Sequence, residues 1–452
     1  MGVKSYFVCI FIIFMLFFGF AYPIVPFWGD DWQMMSTYGS LKPTMYSWIP
    51  ARLLPPMIQT GMGIISVYVI MPLSGLDFID SITLMSAITL SVVYTLLSII
   101  LYRLMLSFGA SKWLGLCITS IFIIGGFCMM KAHSMPLLLP ADLQAEGMGY
   151  IFTLISFYII PNVLNLALLG IVCYVLALRL NLVQKPIIIA PQPLWILTGG
   201  GIVILYLAQF SITSASLILA SFCGISLFVE YCYFIAKDTK HFYHLFSFLK
   251  ALGLYGIICL VCLLMWCVAA YYDIHSGRAE YCGAFNLSFG ISYMYNSLKL
   301  LRTGFLTLFI LTGIAILIKA YKDSSLRPFI LTQFLWIISL MCVYILLVSK
   351  CGAKFYLISG LFLSMLWLMC VWLVILFKDG KKSMMILSCV SLFAFLHPFE
   401  AYKERPRESY LYHREYAKSW VNAAQLASKQ GQDPLPSSCL AHFRIGSGRG
   451  GF

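Results

Sequence analysis

Charged side chains are scarce in this chain, and that scarcity decides its solvent. Asp, Glu, Lys and Arg make up 10% of the 452 residues, against 61% hydrophobic residues and a mean hydropathy of +0.91. A soluble domain is about a quarter charged. So few polar groups cannot cover a surface in water, which excludes a free-standing soluble catalytic domain and makes lipid the solvent for much of the chain. Period-2 alternation is missing as well. The apolar runs are continuous and about 20 residues long, so they read as membrane-spanning helices and not as barrel strands.

Further absences narrow the function. The one CxxC spacing, Cys259 to Cys262, lies inside an apolar run, and no Cys/His spacing suited to a metal occurs, so no metal is expected. The 15 Cys are scattered through apolar runs, as at Cys117, Cys223, Cys259 and Cys370, and read as small apolar fillers. Cys282, Cys351 and Cys439 fall in outer segments, where a disulfide stays open as an alternative. No basic stripe interleaves with aromatics, so the net charge of +13 does not point to nucleic acid. Ionisable residues inside the spans are few: Glu230 near the inner end of one, and Asp80 opening another at its outer end. An ion-coupled transporter is expected to bury charge near the midplane and to break helices in matching halves. Neither pattern occurs, and no internal repeat is visible.

What is present is an ordered series of apolar runs. The first, Tyr6 to Val25, is long, lacks a small-residue cleavage site and ends in Pro-Phe-Trp-Gly, which predicts a retained span. Later spans are expected near 80–102, 113–131, 157–178, 194–210, 211–236, 251–271, 303–320, 328–348, 355–377 and 383–397. The expected fold is an all-α polytopic membrane protein of about eleven transmembrane helices. Residues 1–397 form its transmembrane domain, and 398–452 form a small outer tail.

Basic residues cluster in alternate gaps: Arg103 and Lys112; Arg179 and Lys185; Lys237, Lys240 and Lys250; Lys319, Lys322 and Arg327; Lys378, Lys381 and Lys382. The positive-inside bias puts these gaps and the N-terminus in the cytoplasm and the C-terminus outside. The outer face then receives a first loop, 27–79, further loops at 132–156 and 272–302, and the tail. Residues 53–73 are apolar but interrupted by Pro55, Pro56, Gly61 and Gly63, which fits an interfacial or re-entrant helix. In the tail, Tyr412, Tyr416, Trp420 and Ala424 recur every four residues, one face of an amphipathic helix that Gly431 is placed to end.

The outer segments hold the candidate chemistry. Trp28-Gly29-Asp30-Asp31-Trp32 puts two adjacent carboxylates just after a transmembrane helix. Neighbouring carboxylates at low dielectric push one pKa upward, which suits a general base; equally, one can cap a helix while the other is solvated. Arg52 opens the broken apolar helix, where a guanidinium can hold a phosphate or simply snorkel to headgroups. Lys131, His133, Asp142, Glu146, His275, Arg278, Lys350 and Lys354 complete an outer rim that would suit an anionic lipid phosphate, although each alone also reads as a loop solubiliser.

At these residues the chain resembles the membrane glycosyltransferases of the GT-C type, and most closely the serotype-converting glucosyltransferases. Their first outer loop carries Asp-Asp-Trp or Asp-Asp-Tyr, followed downstream by Gly-Arg-Pro-Leu. The matching residues are Asp30-Asp31-Trp32 and Ala51-Arg52-Leu53-Leu54; Ala51 stands where Gly is usual, and Pro55 falls two positions late. The resemblance implies a GT-C-like fold in the bacterial inner membrane. It implies transfer of a sugar, glucose by the nearest pattern, from a polyprenyl-phosphate donor to a surface polysaccharide such as O-antigen on the periplasmic face, with inversion. Asp30 or Asp31 would be the base, and Arg52 would hold the donor phosphate with the rim, Trp32 beside them. No cofactor or metal is implied; the partners would be the lipid-linked sugar, the polysaccharide acceptor, membrane lipid, a donor synthase and a flippase. Two alternatives are an O-antigen polymerase or ligase, expected to rely on Arg in a late outer loop, and a lipid-linked-sugar flippase, expected to line its midplane with Arg and Lys.

Overall fold

A computed structural model describes residues 2–26, 54–128, 155–183, 204–205, 207–210, 213–237, 245–275, 284–351, 355–377 and 407–430. These residues are helical, with no strand among them. In chain order the helices are α1 (Val3–Leu16, extended by a π turn Phe17–Ala21), α2 (Leu54–Ile65), α3 (Met71–Ser74, joined to α2 by a π turn Ser66–Ile70), α4 (Phe78–Ser107) and α5 (Lys112–Cys128). After a π turn Ile155–Ile159 come α6 (Ile160–Arg179), α7 (Thr213–Lys237), α8 (Leu245–His275), α9 (Leu287–Lys299), α10 (Thr303–Lys322), α11 (Arg327–Cys351), α12 (Phe355–Phe377) and α13 (Arg407–Lys429). Among the described residues nine helical segments are long and apolar enough to cross a membrane, and α5 adds a shorter apolar one. The chain is an all-α, multi-pass membrane protein. The span expected near 383–397, and most of the one near 194–210, lie outside the described residues.

The packing follows from composition. α12 is apolar on every side, and 89% of its Ser359–Phe377 stretch is buried, as befits the central helix of a bundle. Inside it Trp372 Nε1 donates to Gln333 Oε1 of α11 at 2.7 Å, while the buried Trp367 Nε1 has no partner among the described residues. The outward faces are apolar too: Ile13, Leu16 and Phe20 of the first helix and Ile310, Leu311 and Ile318 of α10 are exposed, which is stable only in lipid.

Side-chain contacts sort the helix termini into two ends. At one end Tyr6 meets Ser120 at 2.6 Å, Phe108 packs on Tyr174 and Phe329, Arg179 pairs with Glu230 at 3.5 Å, and Lys319 Nζ donates to the Ile375 carbonyl at 2.6 Å. Arg103, Lys112, Arg179, Lys237, Lys319, Lys322 and Arg327 all fall here, so the described members of the basic clusters share one end of the bundle. At the other end Asn165 Nδ2 donates to the Ala208 carbonyl (3.2 Å), Tyr344 Oη to the Ser214 carbonyl (2.8 Å), Asn162 Nδ2 to Ser359 Oγ (3.2 Å) and the Asn286 N–H to the Ser349 carbonyl (2.8 Å). Val25, Ile79 and Ala417 close a small apolar cluster at this second end.

Two expectations change. The prolines of 53–73 do not break a helix but start one: Pro55 and Pro56 fall in the first turn of α2, where a missing N–H is harmless. The helical run continues through the π turn to Ser74, where Gly75 at φ 69° reverses the chain into α4 within three residues. Although Met57–Ser74 is long enough to span, Leu54 bonds to Phe210 and Ser74 runs into Phe78, both at the second end, so this helix lies across that end. The segment 272–302 is not a loop throughout either. α8 continues to His275, and α9 packs lengthwise along α11. Gly290 makes that approach feasible, because a Cβ there would collide with Ser349 Oγ and sit 2.6 Å from the Ile345 carbonyl oxygen.

Candidate functional site

The end crossed by α2 and α3 holds most of the buried side-chain amides among the described residues. Asn162 (4% exposed), Asn165 (0%), Gln209 (0%) and Ser359 (7%) are all buried there. Asn165 Nδ2 donates to the Pro161 and Ala208 carbonyls, and Gln209 Nε2 donates to Asn165 Oδ1 at 3.4 Å. This amide chain anchors residues 207–210 to the start of α6. The Phe210 carbonyl in turn accepts from the Leu54 N–H at 3.4 Å, which fixes the start of α2.

α2 turns Leu54, Gln59 and Met62 inward, continued by Ser66 in the π turn, and leaves Met57, Ile64 and Ile65 facing out. Ser66 satisfies itself by donating to the Met62 carbonyl at 2.7 Å. Gln59 does not: it is 5% exposed, and among the described residues neither its Nε2 nor its Oε1 has a hydrogen-bond partner. Burying an amide in that state costs about 1–3 kcal/mol in proteins. Ser81 Oγ, in the first turn of α4, and Gln209 Oε1 are buried and unpartnered at the same end.

A charge clasp closes one flank. Asp77 caps α4 by accepting from the Asp80 N–H at 2.9 Å. Asp80 receives a two-pronged guanidinium from α13: Arg414 Nε to Oδ1 and Nη2 to Oδ2, both 2.6 Å. Lys418 reaches Asp77 Oδ2 at 2.6 Å and Asp80 Oδ2 at 3.0 Å. Partial burial alone would lower the Lys418 ammonium, but hydrogen bonds from it to Asp77 and Asp80, with their charges, outweigh this and raise its pKa. Beneath the clasp Ala417 and Val421 pack on Val25, Phe78 and Ile79. The tail helix therefore docks through Arg414, Ala417, Lys418 and Val421; of the stripe expected to define it, Tyr416 and Trp420 have their rings 5.9 Å apart.

Most residues singled out in the sequence fall outside the described ones: Asp30, Asp31, Trp32, Arg52, Lys131, His133, Asp142, Glu146, Arg278 and Lys354, with Cys282 and Cys439. What is described are the anchors of their segments. Residues 27–53 run from Pro26, next to the Val25 cluster, to Leu54, and residues 129–154 run from Cys128 to Ile155; all four anchors belong to this end. His275 is exposed and engaged within its own helix, its Nδ1 2.8 Å from the Tyr271 carbonyl oxygen and its ring 4.1 Å from that of Tyr271. Lys350 lies in the last turn of α11, beside the Ser349 carbonyl that holds Asn286. Cys351 closes the same helix.

Sequence reasoning missed the clasp and Gln59. The clasp did leave a signal: acids at 77 and 80 and cations at 414 and 418 each share one helical face with opposite sign. Among the described residues no group of His, Cys, Asp and Glu is arranged to hold a metal ion. No protein-family model, curated protein or solved structure matches the chain.

Proposed function

We propose that the chain is a GT-C type glycosyltransferase that moves a sugar, glucose by resemblance, from a polyprenyl phosphate to a surface polysaccharide such as O-antigen at the periplasmic face of the inner membrane. The observation that carries the reading is the pairing of sequence motif and anchor points. Asp30-Asp31-Trp32 begins four residues after Pro26, and Arg52 lies two residues before Leu54, so each motif is close in sequence to a residue anchored at the polar end crossed by α2. The all-α bundle and its lipid-facing surface suit a donor that arrives in the plane of the bilayer.

The chemistry asks little of the protein. The phosphate of the donor is already a good leaving group, so no strong general acid is required. One carboxylate, Asp30 or Asp31, takes the proton of an acceptor hydroxyl as its oxygen bonds to the anomeric carbon. The anomeric carbon–phosphate oxygen bond breaks on the opposite face, with inversion, and the electron pair leaves on the polyprenyl phosphate. Arg52 and neighbouring outer cations stabilise that phosphate in place of water. A guanidinium does this through two parallel bonds, which an ammonium cannot reproduce.

The test uses the purified full chain in lipid nanodiscs with synthetic polyprenyl-phosphate hexoses and a polysaccharide acceptor, read by mass spectrometry of the glycan. Transfer by the native chain, its loss in the Asp30→Asn/Asp31→Asn double variant, and weakened donor use in Arg52→Ala with partial recovery in Arg52→Lys are expected. Transfer undiminished in the double variant overturns the mechanism. Absence of transfer from every donor, with polymerisation of the acceptor instead, moves the chain to the polymerase class.

A further inference from the structure

Gln59 presents a problem that packing alone does not solve. In a helix with lipid on one side, the apolar residues Met57, Ile64 and Ile65 take the outer face and a carboxamide is turned into the protein. Polar residues are kept inside membrane bundles when something there bonds them. Ser66 finds Met62, Asn165 finds Pro161 and Ala208, and Asn162 finds Ser359, but among the described residues Gln59 bonds nothing with either atom. Ser81 Oγ and Gln209 Oε1 are unpartnered at the same end; single atoms of Thr89, Thr95, Gln333 and Trp367 are so elsewhere in the bundle, but among the described residues Gln59 alone has both atoms of a buried carboxamide unpaired. The unspent capacity is mixed, a pair of N–H donors and a carbonyl acceptor on Gln59, a hydroxyl, and a second carbonyl. A phosphate only accepts and would leave both carbonyls unpaired. An apolar chain would leave all of them unpaired. Hydroxyl groups donate and accept, and several on one ring can serve several such atoms.

We propose that the Gln59 carboxamide is a sugar-reading group, donating through Nε2 to one hydroxyl of the lipid-linked sugar and accepting through Oε1 from another. This rests on the lipid-linked-sugar reading above and adds to it the residue that distinguishes the sugar from its carrier. Gln59 is a binding residue, with no part in proton transfer, and it lies seven residues beyond Arg52 in the chain. The cation would hold the phosphate while the amide reads the ring.

The experiment compares thermal unfolding of the full chain in nanodiscs with no ligand, with polyprenyl phosphate, and with polyprenyl-phosphate glucose or galactose. In the native chain a hexose is expected to add stabilisation beyond the bare carrier. In Gln59→Met, which keeps volume and removes both polar atoms, the ligand-free melting temperature should equal or exceed that of the native chain. The sugar increment should vanish, and the carrier's own effect should remain. In turnover, donor KM should rise about tenfold with kcat little changed, the size of one net hydrogen bond. Gln59→Asn, which withdraws the same amide by one methylene, should keep part of the increment and guards against a variant that fails to fold. A lowered ligand-free melting temperature with the increment intact would show an amide satisfied by buried water, and would overturn the proposal. A native chain that transfers sugar without any sugar increment overturns it while leaving the function standing. With neither increment nor transfer, both fall.

Discussion

Replacing Asp80 with Asn tests whether the tail helix is held by charge. The substitution keeps the shape and removes the anion that accepts two 2.6 Å bonds from Arg414 and one of 3.0 Å from Lys418. Exposed ion pairs contribute about 0.2–1 kcal/mol, and breaking a buried pair costs about 3–5 kcal/mol. The clasp lies between these limits: Asp80 is 17%, Arg414 28% and Lys418 21% exposed at the side chain. Asp77, at 47%, adds little. Discounted for solvent, the loss should be about 1–3 kcal/mol, a rise of about 5- to 150-fold in the undocked fraction of α13. Hydrogen exchange of the amides of 407–429 in nanodiscs reads this directly, because exchange scales with the open fraction. The difference between native chain and variant should shrink in 1 M salt, where the screening length falls to about 3 Å. The double variant Asp80→Lys with Arg414→Glu should recover part of the protection. Unchanged exchange across 414–421 in Asp80→Asn at low salt would refute electrostatic docking and leave Ala417 and Val421 as the whole attachment.

Three further outcomes are expected. Gly290→Ala should destabilise the α9–α11 contact by about 1–3 kcal/mol, because the added methyl meets both Ser349 and the Ile345 carbonyl; Ser349→Ala relieves only the first, so thermal unfolding of the double variant should recover part of the loss. Asn165→Leu removes two donated bonds and the acceptor of Gln209 Nε2, costing about 1–3 kcal/mol and raising hydrogen exchange at 207–210 and at Leu54. Docking of α13 should fade at alkaline pH: with its pKa raised on folding, Lys418 stabilises fully below the ordinary lysine value of 10.5 and loses that contribution as pH climbs through the raised one. Exchange of 407–429, corrected for intrinsic rate, should therefore be flat from neutrality upward and increase only above that point.

How far the sequence reveals this architecture depends on what each element is packed against. α1, α4, α10, α11 and α12 were legible because lipid and core are both apolar, so a continuous run is the whole signal. α9 was not: Asn286, Ser288, Ser292, Asn296 and Ser297 make it read as a loop, and its helical packing hangs on the single atom missing from Gly290. The helix from Leu54 to Ser74 was ambiguous for the opposite reason, since Pro and Gly report local geometry and not the tertiary bond to Phe210 that decides how the helix lies. The clasp joins residues 334 apart in sequence, and no local pattern says which acid a given cation will meet. The motif at Asp30, Asp31 and Arg52 is a reading from residue type alone, which limits what a carboxylate pair and a guanidinium can do, and it lies outside the described residues.

The two anchors of residues 27–53 are held by different physics, and this makes their effects separable. The Pro26 side rests on an apolar cluster shared with α13, whose hold is electrostatic, salt-sensitive and worth a few kcal/mol at most. The Leu54 side rests on a backbone bond to Phe210, reinforced by the buried amides of Asn165 and Gln209, which salt does not reach. Loosening the clasp should therefore disturb the acids nearest Pro26 more than the cation nearest Leu54. If Asp30 or Asp31 supplies the base and Arg52 the grip on the donor, Asp80→Asn should depress kcat while sparing donor KM, and Asn165→Leu should do the reverse. A shared loss of both parameters in both variants would mean that 27–53 moves as one rigid piece, and that the division of labour along it is wrong.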